Sequence, residues 1–159
     1  MDYMIRNKID RMYEAVRKIN QTYEIWASAH GLTLYEMQIY YEMMKNKNAA
    51  VTQKDLCLKL DAPKTSINSI VKKQLQTGYI ELNVNPLNKR EKVLSFTNTG
   101  RKFAKELIEP LFRYEQETVS MIDERKMEVA IETQNQFADI LLGKVEQKNE
   151  SSYQDYRIK

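Results

Sequence analysis

Apolar residues at alternating spacings of four and three run through the first 30 residues, and this pattern constrains the fold more than any other. The run consists of Ile5, Ile9, Met12, Val16, Ile19, Tyr23 and Trp26. Heptad spacing of this kind predicts one long helix over residues 3–29 that needs a partner helix along its length. We therefore expect the residues from Ile5 to Ile19 to form a dimer interface, with packing inside the same chain as the alternative.

Glycine and proline are scarce, with four Gly and three Pro in 159 residues. A fold with many tight turns needs more of both, so a mainly α-helical chain is expected. Gly31, Gly78 and Gly143 fall where helical patterns stop, and they are expected at helix ends. The single cysteine excludes an internal disulfide framework. Since the sequence has neither a signal-peptide core nor an apolar run of membrane-spanning length, it predicts a cytoplasmic protein.

Two short amphipathic helices are predicted in the middle of the chain, after a second helix that begins near residue 34. Thr33 with Glu36, and Thr52 with Asp55, have the spacing of capping boxes at the starts of the second and third helices. The fourth helix is expected from about Pro63 to Thr77, because proline suits the first helical turn. Its buried side should contain Ile67, Ile70, Val71 and Leu75.

The other side of the fourth helix carries short polar side chains near its start and lysines further along. These residues are Lys64, Thr65, Ser66, Asn68, Ser69, Lys72 and Lys73. Hydroxyl and amide groups can bond base edges, and lysines can contact phosphates, although such a face is often only a solvated surface. Two strands, 79–82 and 92–96, then enclose a tip of turn-forming residues that bears Lys89 and Arg90, with Lys92 next to it. A cationic tip of this kind fits the minor groove of DNA.

Charge is divided unevenly along the chain. From Lys45 to Lys105 there are 13 Lys and Arg against 4 Asp and Glu, a balance of +9, and the other residues sum to −6. The division indicates a polyanionic partner for the middle of the chain. A basic surface that serves only solubility is the alternative.

From Thr52 to Gly100 the sequence resembles the MarR family of transcriptional regulators. The resemblance is carried by the following residues: Thr52, Asp55, Leu56 and Cys57 in the third helix, Gly78, Tyr79 and Ile80 after the fourth, and Pro86, Arg90, Phe96, Thr97 and Gly100 in and after the wing. Two positions depart from the family pattern. Asn88 stands where the family usually has Asp, and Gln74 stands where Leu is usual.

The resemblance implies a mainly α fold with a small β-hairpin wing, in which a winged helix-turn-helix is joined to dimerisation helices from both ends of the chain. It also implies a homodimer that binds a near-palindromic DNA operator, with the helix at about 63–77 in the major groove and the wing at 83–92 in the minor groove. Finally, it implies a repressor released by a small, often aromatic, effector.

The expected organisation has four parts: a dimerisation helix over residues 1–30, the winged helix-turn-helix over 31–100, dimerisation helices over 101–143 and a polar tail over 144–159. Thr97 should cap the fifth helix, in which Pro110 should cause a kink or leave a carbonyl unpaired. The sixth helix is expected from Asp123 to Gly143, and the tail is expected to fray.

Other classes of function have little support in the sequence. We expect no enzyme, no cofactor and no metal, since there is no phosphate-binding glycine loop and the single His30 has no nucleophile nearby. One His and one Cys on separate helices do not form a zinc site, and Cys57 is expected in the core. The alternative from a different class is a winged helix that binds another protein and never reads DNA.

Overall fold

The computed structural model describes residues 3–46, 50–85 and 88–157, and the side chains among them except those of residues 90, 91 and 149–157. The described residues form six helices and three strands, which are α1 Tyr3–Ala29, α2 Leu34–Lys45, β1 Ala50–Thr52, α3 Gln53–Lys59, α4 Lys64–Gln76, β2 Ile80–Asn85, β3 Asn88–Phe96, α5 Asn98–Ser120 and α6 Glu124–Arg157. The chain divides into two compact units, residues 1–112 and 113–159.

In the first unit the strands form one antiparallel sheet in the order β1-β3-β2. Leu94 in the central strand lies opposite Val51 on one side and Leu82 on the other. Buried apolar side chains from the sheet and its neighbouring helices form one core, whose members include Met37, Ile39, Tyr40, Met43, Leu56, Ile67, Val71, Leu94, Phe96, Leu107 and Ile108. Tyr40 stacks on Phe96 and meets Phe103 edge-on, so it is a core residue.

Both expected capping boxes are confirmed. The Glu36 amide donates to Thr33 Oγ1 at 3.3 Å, and the Thr33 amide donates to Glu36 Oε2 at 2.8 Å. The same exchange joins Asp55 and Thr52 at 3.0 and 3.3 Å. Each box satisfies amides at a helix start, which fixes where α2 and α3 begin and therefore where α4 can follow.

The turn between α3 and α4 ends the third helix with a residue in the left-handed region. Asp61 has φ 45°, and the amide of Ala62 donates to the carbonyl of Cys57 at 3.1 Å. This hydrogen bond is the one expected of a Schellman helix end, where glycine is usual because it has no Cβ. The turn is therefore mildly strained at Asp61.

We expect Asp61→Gly to raise the free energy of unfolding by about 0.5–1 kcal/mol, since glycine adopts positive φ without steric strain. Urea unfolding followed by circular dichroism would measure the change. Asp61→Ala is the matched control, because it removes the carboxylate but keeps Cβ. A glycine variant no more stable than the alanine variant would contradict the strain at this turn.

Gly100, in the first turn of α5, lies against the backbone at the start of the wing. A Cβ at Gly100 would collide with the carbonyl group of Tyr79. The same carbonyl accepts from the amide of Thr97 at 3.1 Å, and Thr97 Oγ1 donates to the carbonyl of Gly78 at 2.8 Å and accepts from the amide of Gly100 at 3.0 Å. Thr97 thus caps α5, as expected, and ties the helix to the first strand of the wing.

The strands differ from those predicted. β1 was not predicted, since three residues show no alternation, and β2 and β3 extend further toward the tip than 79–82 and 92–96. Wing residues 86 and 87 lie outside the described residues, as do residues 47–49 after α2. Asn46 is the C-cap of α2.

The predicted end of the sixth helix at Gly143 is wrong, because α6 continues to Arg157. Gly143 has no positive φ, and nothing lies within 4 Å of the position of a Cβ there. A single glycine inside a helix costs only about 1 kcal/mol, and the Lys, Glu, Gln and Arg residues around it favour helix. The expected frayed tail over 144–159 is therefore helical as far as Arg157.

Candidate nucleic-acid interface

α4 has one buried apolar face and one exposed polar face. Ile67 and Val71 are fully buried, while Lys64, Thr65, Ser66, Ser69 and Lys72 are exposed and Asn68 is half-buried. Among the described residues, α4 exposes no large hydrophobic side chain. The structure therefore brings together on one surface most of the residues predicted to contact DNA from this helix.

Lys73 is exposed as well, but it pairs with a buried carboxylate of α2. Its Nζ lies 2.6 Å from Glu36 Oε1, and Glu36 is only 2% exposed. Burial alone would raise the pKa of Glu36, but hydrogen bonds from Lys73 and from Thr33 outweigh it and hold the pKa below its ordinary value. Glu36 is therefore a buried carboxylate that stays ionised, and Lys73 is its cationic partner.

Sequence reasoning missed a group of polar side chains, of which Glu36, Tyr40 and Gln74 are buried, that joins α2 to α4. The Tyr40 hydroxyl donates to Gln74 Oε1 at 2.6 Å, and Gln74 Nε2 donates to Glu36 Oε1 at 3.1 Å. Gln74 is 2% exposed, and burial raises the pKa of Tyr40, which keeps its hydroxyl protonated. We call Thr33, Glu36, Tyr40, Lys73 and Gln74 the α2–α4 polar network. The sequence feature that could have revealed this network is Gln74, because it is polar at a position where an apolar residue was expected.

A second buried carboxylate takes two more basic side chains. Glu42, on α2, pairs with Lys45 and with Lys59 of α3, each at 3.0 Å. Burial again raises the pKa of Glu42, and the hydrogen bonds from the two lysines lower it below its ordinary value. The ion pair with Lys59 joins α3 to α2, and both lysines remain exposed while they neutralise Glu42.

The wing carries its cationic residues on β3. Lys89 and Lys92 are exposed, and Arg90 lies on the same strand with its side chain outside the described residues, while Pro86 lies outside them altogether. On the exposed face, Asn83 Nδ2 donates to Ser95 Oγ at 2.7 Å and to Glu81 Oε1 at 3.1 Å. The bond to Ser95 joins β2 to β3 and stiffens the base of the wing.

The apolar residues of α1 that predict a dimer seam fall into two groups, one packed on the core and one exposed or half-buried. Toward its end, Tyr23 and Trp26 pack against the core of the first unit, and the Trp26 indole donates to the carbonyl of Leu107 at 3.1 Å. Ile5, Val16 and Ile19 are exposed, and Ile9 and Met12 are half-buried. In the second unit, α6 exposes a further apolar set, which is Val129, Ile131, Ile140, Leu141, Leu142 and Val145.

The described residues offer little for chemistry or metal binding. No group of three or more His, Cys, Asp or Glu side chains among them could hold a metal ion. Cys57 is half-buried against the core, and His30 Nδ1 lies 2.8 Å from the carbonyl oxygen of Trp26 at the end of α1. No helix in the described part of the chain is long and apolar enough to span a membrane.

The sequence matches no protein-family model and no curated protein. Solved structures do match over most of the chain. A MarR family regulator from Neisseria meningitidis has a TM-score of 0.73 at 18% identity, over 89% of this chain and 98% of its own. AbsC, a MarR family transcriptional regulator from Streptomyces coelicolor, has a TM-score of 0.69 at 14% identity, over 90% and 97%.

A DNA complex is also among these structures. The S. aureus MepR–DNA complex has a TM-score of 0.64 at 16% identity, over 86% of this chain and 97% of its own. Identities this low establish the fold and nothing finer. This chain therefore has the winged-helix fold of MarR family regulators, which confirms the expected fold class and the resemblance on which it was based.

Proposed function

We propose that this chain is a transcriptional regulator of the MarR type that binds specific double-stranded DNA in the cytoplasm and catalyses no reaction. The observation that carries the proposal is the exposed face of α4, which is polar and basic and stands on a buried apolar face inside a winged-helix fold. S. aureus MepR, which shares this fold, is known in complex with DNA. α4 would lie in the major groove and the wing in the minor groove.

The side chains on α4 suit two separate tasks. Thr65, Ser66, Asn68 and Ser69 present hydroxyl and amide groups near the helix start, where base edges are within reach of a helix in the major groove. Lys64 and Lys72 are placed to contact phosphates. On the wing, Lys89, Arg90 and Lys92 would follow the minor groove, where a narrow A·T-rich groove has the strongest negative potential.

The chain would act as a homodimer. The seam of Ile5, Ile9, Met12, Val16 and Ile19, which is exposed or half-buried, is long enough to need a second helix, and apolar surface of this kind on a helix usually marks an interface. A two-fold dimer presents two copies of α4, so the operator would be a near-palindrome with half-sites about 34–36 Å apart, or a multiple of that distance. We further propose repression that is relieved by a small aromatic effector.

The rival function, a winged helix that binds only proteins, needs an apolar docking surface on α4 or the wing. α4 exposes no large hydrophobic side chain in the described residues, and on the wing Val84 is exposed at 58%. One valine among cationic neighbours is too small for a specific protein interface. The surface therefore favours DNA over a protein partner.

Selection of duplexes from a random pool would test the proposal. Bound sequences should converge on an inverted repeat whose half-sites are separated by about one helical turn or a multiple of it. Direct repeats would contradict the two-fold dimer. A pool that stays random after repeated rounds would contradict sequence-specific binding itself.

Thr65→Ala should weaken binding to the selected operator by about 1–3 kcal/mol for each lost base contact and relax the preference at one position of each half-site. Fluorescence anisotropy with duplexes substituted at each position would measure both effects. Lys72→Ala is the matched comparison, since loss of a phosphate contact weakens all sequences alike. If Thr65→Ala also weakened all sequences alike, Thr65 would not read a base.

A further inference from the structure

The α2–α4 polar network joins two helices whose other buried residues are mainly apolar. Glu36, Tyr40 and Gln74 are almost completely buried, and each bonds another member of the network. Among the described residues, no buried side-chain nitrogen or oxygen lacks a hydrogen-bond partner. A fully satisfied network of this kind is directional, whereas apolar contacts tolerate sliding and rotation.

Gln74 lies at the end of the buried stripe of α4, one turn after Val71 and two turns after Ile67. A leucine at position 74 would be buried equally well and would place no polar group in the core. The glutamine side chain instead accepts from Tyr40 and donates to Glu36, so its two bonds connect α4 to two successive turns of α2. These bonds fix the rotation of α4 about its own axis, and this rotation decides which side chains face outward.

Lys73 is an exposed member of the network and pairs with Glu36. Its neighbour Lys72 is exposed, and no ion pair of Lys72 is found in the described part of the chain, whereas Lys73 is bonded to a carboxylate that is 2% exposed. Removing a cation from a buried carboxylate leaves an uncompensated charge, which is strongly unfavourable. A phosphate would have to compete with Glu36 for this ammonium group, but would meet no such competitor at Lys72.

We propose that Lys73 is a positioning residue of the recognition helix that binds Glu36 instead of a DNA phosphate, and that Glu36, Gln74 and Tyr40 together set the orientation in which α4 meets DNA. This inference rests on the proposed function. It divides two adjacent lysines of the same helix into one that contacts DNA and one that holds the helix in place.

The salt dependence of DNA affinity distinguishes the two lysines. Each phosphate contact adds about 0.9 to the slope of log affinity against log salt concentration. Lys72→Met should therefore lower the slope of the dimer by about 1.8, since two copies are lost. Lys73→Met should leave the slope unchanged and reduce the preference for the selected operator over a scrambled duplex. A Lys73→Met slope that falls as far as that of Lys72→Met would overturn the inference.

Replacing the Glu36 carboxylate should change the salt slope in the opposite direction. Glu36→Gln retains the capping box, which accepts Gln as well as Glu, but removes the charge that holds Lys73. The released lysine should then reach phosphate, so the slope should become steeper, and the double variant Glu36→Gln with Lys73→Met should return to the wild-type slope. Loss of stability alone makes no slope steeper. An unchanged slope in Glu36→Gln would therefore also overturn the inference.

Gln74→Leu tests the orientation of the helix without changing any charge. We expect a folded dimer with the wild-type salt slope and a several-fold weaker preference for the operator, whereas Gln76→Leu, at an exposed position two residues later, should keep the preference. An unchanged preference in Gln74→Leu would show that apolar packing alone orients α4. Wild-type protein that binds operator and scrambled duplex equally would instead refute the proposed function, and this outcome is visible before any variant is made.

Discussion

Gly100→Ala should lower the free energy of unfolding by about 3–5 kcal/mol, a large fraction of the total stability of a small domain. The methyl group would enter the space of the Tyr79 carbonyl, which is backbone and cannot rotate away. Because Thr97 bonds the backbone of Gly78 and Tyr79, a shift of that strand would also break the cap of α5. Urea unfolding followed by circular dichroism would measure the loss.

Thr99→Ala is the matched control for this variant. Thr99 is the preceding residue, lies in the same turn of α5 and is exposed, so its replacement should change stability by no more than about 0.5 kcal/mol. A Gly100→Ala protein with the urea midpoint of the Thr99→Ala protein would show that the wing and α5 do not approach each other as closely as described.

Replacing Ile9 and Val16 together with lysine should convert the dimer to monomers or unfolded chain. Each lysine appears twice in a two-fold interface, and no carboxylate of the seam compensates it. Light scattering would give the oligomeric state. Operator affinity should fall by about 100-fold or more, because a monomer loses the effective concentration that the second half-site provides.

The control for this variant adds the same charge to the opposite face of α1. Asn7 and Gln21 are exposed and lie seven residues either side of Glu14, away from the heptad seam. Asn7→Lys with Gln21→Lys should therefore remain dimeric. A dimer that survives in the Ile9 and Val16 variant would contradict the seam as the interface.

The parts of the fold that could be predicted from sequence are those determined by residues close together in the chain. The bounds of α1 follow from its heptad spacing, and the starts of α2, α3 and α5 follow from Thr33, Thr52 and Thr97, whose capping partners lie three residues away. The positive φ of Gly31 and Gly78 likewise follows from their positions after helical patterns.

The predictions that were wrong or incomplete concern features that depend on contacts between residues distant in sequence or on a balance of small free-energy contributions. β1 is held by pairing of Val51 with Leu94, more than 40 residues away, and its own three residues carry no periodic signal. Glu36 was interpreted only as a capping residue, because its contact with Gln74 spans 38 positions. Gly143 was expected to end α6, and the surrounding helix-forming residues outweigh it.

The exposed residues of the candidate interface were predicted more completely than the buried contacts behind them. The exposed polar face of α4 follows from helical periodicity, so Thr65, Ser66, Ser69 and Lys72 were found as a set. Periodicity also places Lys73 outward, and its side chain turns to Glu36 only because α2 supplies a buried carboxylate there. Which of two adjacent lysines pairs within the chain is therefore a tertiary property.

The most direct test of the central claim is the affinity of the wild-type protein for one selected duplex and for a scrambled duplex of the same length, by fluorescence anisotropy over a salt series. A specific regulator should bind the selected duplex at least about 1,000-fold more tightly at physiological salt, and its affinity should fall steeply as salt increases. Equal affinities for the two duplexes at every salt concentration would contradict sequence-specific recognition by α4.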